Sequence, residues 1–214
     1  MCFSATASFV AGTILVSTGI FTLHNIQNKS WIPFASIPLL FGIQQLLEGM
    51  IWLSMVPSSI IPQWIVTYWF VFFSHVFWPF FVPFSIWLIE KHPLRKKIIG
   101  GITLVGAVVS CYLLVCLILG PVNSSIVRES IAYQIPVPYP LPSFALYLFA
   151  TCAWGIVASS LKIRVFWTAM LVGFFVAHAF YPETLFSVWC FFAAALSVII
   201  YAQVKDLRMV LGVR

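Results

Sequence analysis

Seven apolar stretches, each about 18–26 residues long, follow one another along the chain with short polar breaks between them. They occupy residues 4–23, 31–55, 64–89, 98–119, 143–161, 165–181 and 184–204. At about 1.5 Å of rise per residue, a helix of that length crosses the hydrocarbon of a bilayer. Lipid offers no hydrogen bonds to the backbone, so each stretch must satisfy its own amides, and a helix does so. The expected fold is an all-α bundle of seven transmembrane helices forming a single domain over residues 1–214, with one long external loop at 120–142. Composition agrees: 7% of residues are charged and 62% hydrophobic, whereas soluble domains carry about a quarter charged residues. Without a polar coat, the outer surface of the bundle has to face membrane lipids.

The distribution of positive charge predicts the orientation. Lys29 follows the first stretch, Lys91, Arg95, Lys96 and Lys97 the third, Lys162 and Arg164 the fifth, and Lys205, Arg208 and Arg214 the last. Only Arg128 falls on the other side. Short cytoplasmic loops are the ones enriched in Lys and Arg, so the N-terminus is expected outside and the C-terminus in the cytoplasm, in the inner (plasma) membrane of a cell. The net charge of +6 is thereby a matter of topology, and no basic patch interleaved with aromatic residues marks a nucleic-acid partner. The first residues, Met1 to Ser8, carry no charge and do not read as a secretory signal.

Within the long loop, residues 126–135 can pair as a short hairpin. Residues 136–142, with prolines at 136, 138, 140 and 142, are expected to be extended, since proline fixes φ and removes a donor. The segment is otherwise read as an ordinary loop.

Ionisable groups inside the stretches are few: Glu48, His75 and His178. Such groups are costly in lipid and mark functional interiors by default. Counting residues from the outer ends places Glu48 roughly 10 Å deep, His178 about 5 Å and His75 about 16 Å. Cys2 precedes the first helix on that side and Glu183 follows the sixth. The five therefore converge on one outward-opening pocket in this reading. Gln44, Gln45, Glu48 and Trp52 share one stripe at i, i+3, i+4 spacing. Tyr68, Ser74, His75 and Trp78 supply a similar face on the third helix, where Pro79 and Pro83 bend the chain. A thiolate, a carboxylate and two imidazoles form a ligand set that suits zinc. His75, His178, Glu48 and Cys2 are the candidate metal ligands, with Glu48 also the candidate general base. Gln44, Gln45, Tyr68, Ser74, Trp78 and Glu183 are the candidate pocket residues. Each has a plain structural alternative, such as a neutral Glu48 bonded to a neighbouring amide. No HExxH or CxxC spacing is present.

The opening Met-Cys-Phe-Ser-Ala-Thr-Ala-Ser-Phe, the run from Ile37 to Gly49 and the segment from Ser74 to Pro79 resemble a family of uncharacterised bacterial multi-pass membrane proteins. The resemblance implies that Cys2, Gln44, Gln45, Glu48 and His75 belong to one design and implies no activity. At the level of class only, the chain is similar to the seven-helix zinc hydrolases of the alkaline ceramidase and adiponectin-receptor type. It departs from them in lacking an intramembrane aspartate and a His-x-x-x-His in the last helix. The functional expectation is an outward-facing intramembrane pocket that binds zinc and hydrolyses a lipid-like substrate. The alternatives are a proton-coupled transporter or carrier, and a haem-binding or structural membrane protein. A retinal-binding pump is excluded by the missing lysine within helix seven, and a voltage sensor by the missing arginine ladder.

Overall fold

The computed structural model describes residues 4–210. Its helices are α1 (Ala5–His24), α2 (Ile32–Ser54), α3 (Gln63–Val71), α4 (Trp78–Ile89), α5 (Pro93–Leu119), α6 (Pro140–Cys152), α7 (Trp154–Val157), α8 (Leu161–Phe180) and α9 (Leu185–Val210). Grouped by continuity they give seven spans long and apolar enough to cross a membrane, so the chain is an all-α, multi-pass membrane protein in contact with lipid. The second span is the most buried of these, at 61% against 28% for the first and fifth. It is packed against α1, α3, α4 and α9.

Several features differ from the sequence expectation, among them the break between the fifth and sixth spans, which lies at residues 158–160 because the fifth ends at Val157 and the sixth begins at Leu161. The third span is interrupted: a π-helical segment, Phe72–Phe77, separates α3 from α4. The fourth helix begins at Pro93, five residues before its apolar run, because Arg95, Lys96 and Lys97 extend it beyond the apolar zone. The fifth span begins at Pro140, where proline suits a first helical turn, and breaks between α6 and α7 at Ala153.

The long loop is more than a connector. It contains an antiparallel hairpin, β1 (Asn123–Val127) and β2 (Ser130–Gln134), paired from Asn123 with Gln134 to Val127 with Ser130. The hairpin packs into the bundle. Ile131 is fully buried with Ile51, Val66 and Phe70, and Tyr133 stacks on Phe70 with centroids 4.4 Å apart. Polar tethers add to this: Gln63 Nε2 donates to the Ser124 carbonyl at 2.8 Å, Thr67 and Ser124 share a hydroxyl bond at 2.7 Å, and the Tyr68 hydroxyl donates to the Gly120 carbonyl at 2.8 Å.

At the opposite, lysine-bearing end, Glu90 ties two connections together. Its carboxylate accepts from the Lys91 and His92 amides and from the amide and hydroxyl of Ser159, at 2.7–3.0 Å. Burial alone would push this carboxyl up, but those donors outweigh it and hold the group below its ordinary 4.5.

Candidate functional site

The site begins with a backbone irregularity. In a π-helical turn the carbonyl of Ser74 would be bonded by the amide of residue 79, which is a proline and has none. The Tyr147 hydroxyl from α6 takes that place, donating to the Ser74 carbonyl at 2.6 Å. The same π-helical segment turns His75 inward, with its ring 3.9 Å from the Phe186 ring. Ser74 Oγ lies 2.7 Å from His75 Nδ1 and 3.3 Å from the Val71 carbonyl. In the tautomer protonated at Nδ1, Ser74 donates to Val71 and accepts from Nδ1–H, and the lone pair of the neutral ring lies on Nε2.

His75 lines a cavity of about 280 Å³ under the hairpin, together with Leu113, Tyr133, Ser143, Phe144, Tyr147 and Phe186 among others. Its hydroxyls share one property. Tyr147 donates to Ser74, Ser143 donates to the Tyr139 carbonyl at 2.5 Å, and Tyr133 donates to Glu48 at 3.5 Å. The Tyr147 and Ser143 protons are committed to backbone carbonyls, so what these two hydroxyls offer the cavity is lone pairs.

Tyr133 is the partition between this cavity and a second polar cluster. Behind it, Glu48 is fully buried. Its carboxylate accepts from the Ser187 hydroxyl at 2.5 Å and from Gln45 Nε2 at 3.3 Å. Gln44 Oε1 accepts from Trp78 Nε1 at 2.7 Å, and Trp78 stacks on Phe41 at 4.0 Å. Gln44 Nε2, Gln45 Oε1 and Trp52 Nε1 are buried without a hydrogen-bond partner. These three atoms lie on the helical stripe that carries Glu48 and make its surroundings polar.

A model of a family of unknown function, DUF6629, matches residues 1–211. The chain belongs to this family. Nothing among curated proteins or solved structures matches the chain. Membership in DUF6629 carries no activity with it, so chemistry has to be argued from the site.

Measured against the sequence expectation, the structure brings Gln44, Gln45, Glu48, Ser74, His75 and Trp78 to neighbouring positions of the interior. It places others elsewhere. Tyr68 tethers the chain ahead of the hairpin. His178 is exposed on α8, stacked on Phe174 at 5.9 Å. Glu183 is exposed in the turn before α9, in a shallow recess with Arg128. Cys2 lies outside the described residues. Among the described residues no three His, Cys, Asp or Glu side chains are grouped to hold a metal ion.

Sequence reasoning missed Tyr133, Tyr147, Ser187, Phe144 and Phe186. Ser187 and Tyr147 are single polar positions in apolar helices and carry no spacing signal. Tyr133 belongs to residues 126–135, read as a short hairpin in an otherwise ordinary loop, and nothing in that reading turned its side chain into the bundle.

Proposed function

We propose that this protein is a plasma-membrane binding protein that takes the donor-bearing head of an amphipathic, lipid-like molecule, an amine or alcohol, into the cavity beneath the hairpin. The hairpin side faces outward in this reading, which the charge asymmetry of the loops supports. The observation that carries the proposal is the pair of hydroxyls, Tyr147 and Ser143, whose protons are engaged by the protein and whose lone pairs are left to the cavity, set beside His75 in walls of Phe144, Phe186 and Leu113; His75 protonated at Nδ1 adds a third acceptor at Nε2. A ligand with hydroxyl or ammonium donors satisfies those acceptors, and an ammonium gains further from the aromatic faces. A carboxylate head would meet acceptors at Tyr147 and Ser143. Tyr147 closes the bottom of the cavity. Below it lies a space of about 30 Å³ walled by Phe41, Trp78, Met170 and Trp189, which favours binding over passage to the other side.

The test is photolabelling in nanodiscs with a diazirine-bearing long-chain amino alcohol, beside a diazirine fatty acid of equal chain length. The amino alcohol should label Phe144, Tyr147 or Phe186, and Leu113→Trp, which fills the cavity, should abolish that label. Equal labelling by both probes, or labels confined to lipid-facing positions such as Val172 and Phe175, would overturn the reading.

A zinc-dependent hydrolytic form has one feature in its favour. An imidazole held at Nδ1 with Nε2 free is the arrangement of a ligating histidine. It needs further ligands beyond His75 and Glu48. Metal analysis of the purified protein decides it: less than about 0.1 zinc per chain, unchanged in His75→Ala, removes zinc from the mechanism.

A further inference from the structure

A second cavity, of about 260 Å³, lies far from the hairpin, on the lipid-facing side of the α4–α5 pair. Phe80, Phe84 and Trp87 of α4 form one wall, and Gly100, Thr103, Leu104 and Ala107 of α5 form the other. From Trp87 to Phe80 is seven residues, so the groove runs about 10 Å along the helices. It is open along its length, with Leu104 67% exposed.

Its upper end differs from its floor. Lys96 Nζ sits over the Trp87 ring, 5.4 Å from the centroid. The Trp87 indole N–H makes no hydrogen bond to the described protein, and Gly100 lets it lie close: a Cβ there would be 3.1 Å from Nε1. Around this mouth the sequence from 90 to 98 carries Lys91, Arg95, Lys96 and Lys97 against the single acid Glu90. The Glu90 carboxylate is already engaged with Ser159, and Arg95 is turned the same way, donating to Ser159 Oγ at 3.1 Å. Lys96 is drawn toward the groove, and its ammonium has no acidic partner among the described residues.

We propose that this groove binds one anionic phospholipid, its acyl chain lying along Phe80, Phe84 and Leu104 and its phosphate held by Lys96 and the Trp87 indole N–H. The chemistry is complementary at both ends. An open aromatic and aliphatic channel accepts a hydrocarbon chain, and a cation with an unused N–H donor at the interface accepts a phosphate. A zwitterionic lipid fits the channel equally but brings its own cation to a mouth that already holds Lys96. The site is independent of the cavity beneath the hairpin, so either reading stands or falls without the other.

The experiment is native mass spectrometry of the full chain in detergent after delipidation, with phosphatidylglycerol and phosphatidylcholine of identical chains added at equal concentration. One phosphatidylglycerol should be retained per chain at about fivefold preference, the size expected for one well-placed cation against an anionic lipid. Lys96→Ala and Lys96→Gln should erase the preference while leaving chain binding. Ala107→Trp should remove both lipids by filling the groove. Should Ala107→Trp fail to fold, the Lys96 pair decides alone, because that side chain is partly solvated and its loss leaves the helices intact. Equal retention of the two lipids, or a preference that survives both Lys96 variants and disappears only in Arg95→Ala or Lys97→Ala, would overturn the proposal.

Discussion

Ser187 of α9 donates its hydroxyl proton to Glu48 Oε1 of α2 at 2.5 Å, joining two helices 139 residues apart in the chain. Gln45 and Tyr133 complete the carboxylate's partners. Glu48→Gln keeps the size and an acceptor for Ser187 and Tyr133. Its new N–H group faces Gln45, whose amide can turn to present the Oε1 now without a partner. The variant should therefore fold and melt within a few degrees of the parent. Glu48→Ala leaves the Ser187 and Gln45 donors buried and unmet, and should cost about 2–3 kcal/mol. Thermal melts in a mild detergent check both; equal losses for Gln and Ala would mean that the charge itself holds the helices.

Glu90 gives the fold a pH dependence with a defined sign. Its carboxyl is held below 4.5 in the folded state, so its contribution is fully present above pH 4.5 and is lost as the pH falls through the lowered value. Stability measured from pH 7 down to pH 3 should drop in this acid window, and Glu90→Gln should flatten that part of the profile. Ser159→Ala, which removes one of four donors, should weaken the parent at pH 7 by about 1 kcal/mol. An unchanged acid limb in Glu90→Gln would assign the pH dependence to other groups.

The hairpin turn is strained. Arg128 and Glu129 have φ of 46° and 64°, a conformation that asparagine and glycine adopt far more readily in two-residue turns. Replacing the pair by Asn-Gly should stabilise the hairpin by about 0.5–1 kcal/mol. Hydrogen exchange at the β1 and β2 amides reads this directly. Slower exchange confined to residues 123–134 is the expected result, and faster exchange would show that the charged pair is needed for the turn.

Gly106 permits the closest approach in the α4–α5 pair. A Cβ at that position would lie 2.1 Å from the Pro79 carbonyl oxygen. Alanine would gain about 1 kcal/mol in helix propensity but lose about 1–3 kcal/mol to overpacking against backbone that cannot step aside. Gly106→Ala should lower the melting temperature; an increase would mean that the two helices part easily.

The proposed orientation is tested by reporters. A reporter active only in the cytoplasm should work when fused after Arg214 and be silent when inserted within residues 124–130. The reverse pair of results would place the cavity on the cytoplasmic side.

The sequence by itself determined that this chain is a bundle of seven spanning helices. Span length and the scarcity of charge leave no other way to satisfy the backbone in lipid. It also singled out the stripe of Gln44, Gln45 and Glu48, since one helix's periodicity is enough to align them, and it marked Ser74 and His75 by the prolines that follow. Only the tertiary structure decided what meets those residues. That Ser187 rather than His178 reaches Glu48 depends on the rotation of α8 and α9 about their own axes. In helices that are apolar on nearly every side, the sequence pattern does not specify that rotation. The inward packing of Tyr133 depends on long-range contacts of β2 with Phe70 and Ile51, formed between segments whose separate sequences carry no record of one another.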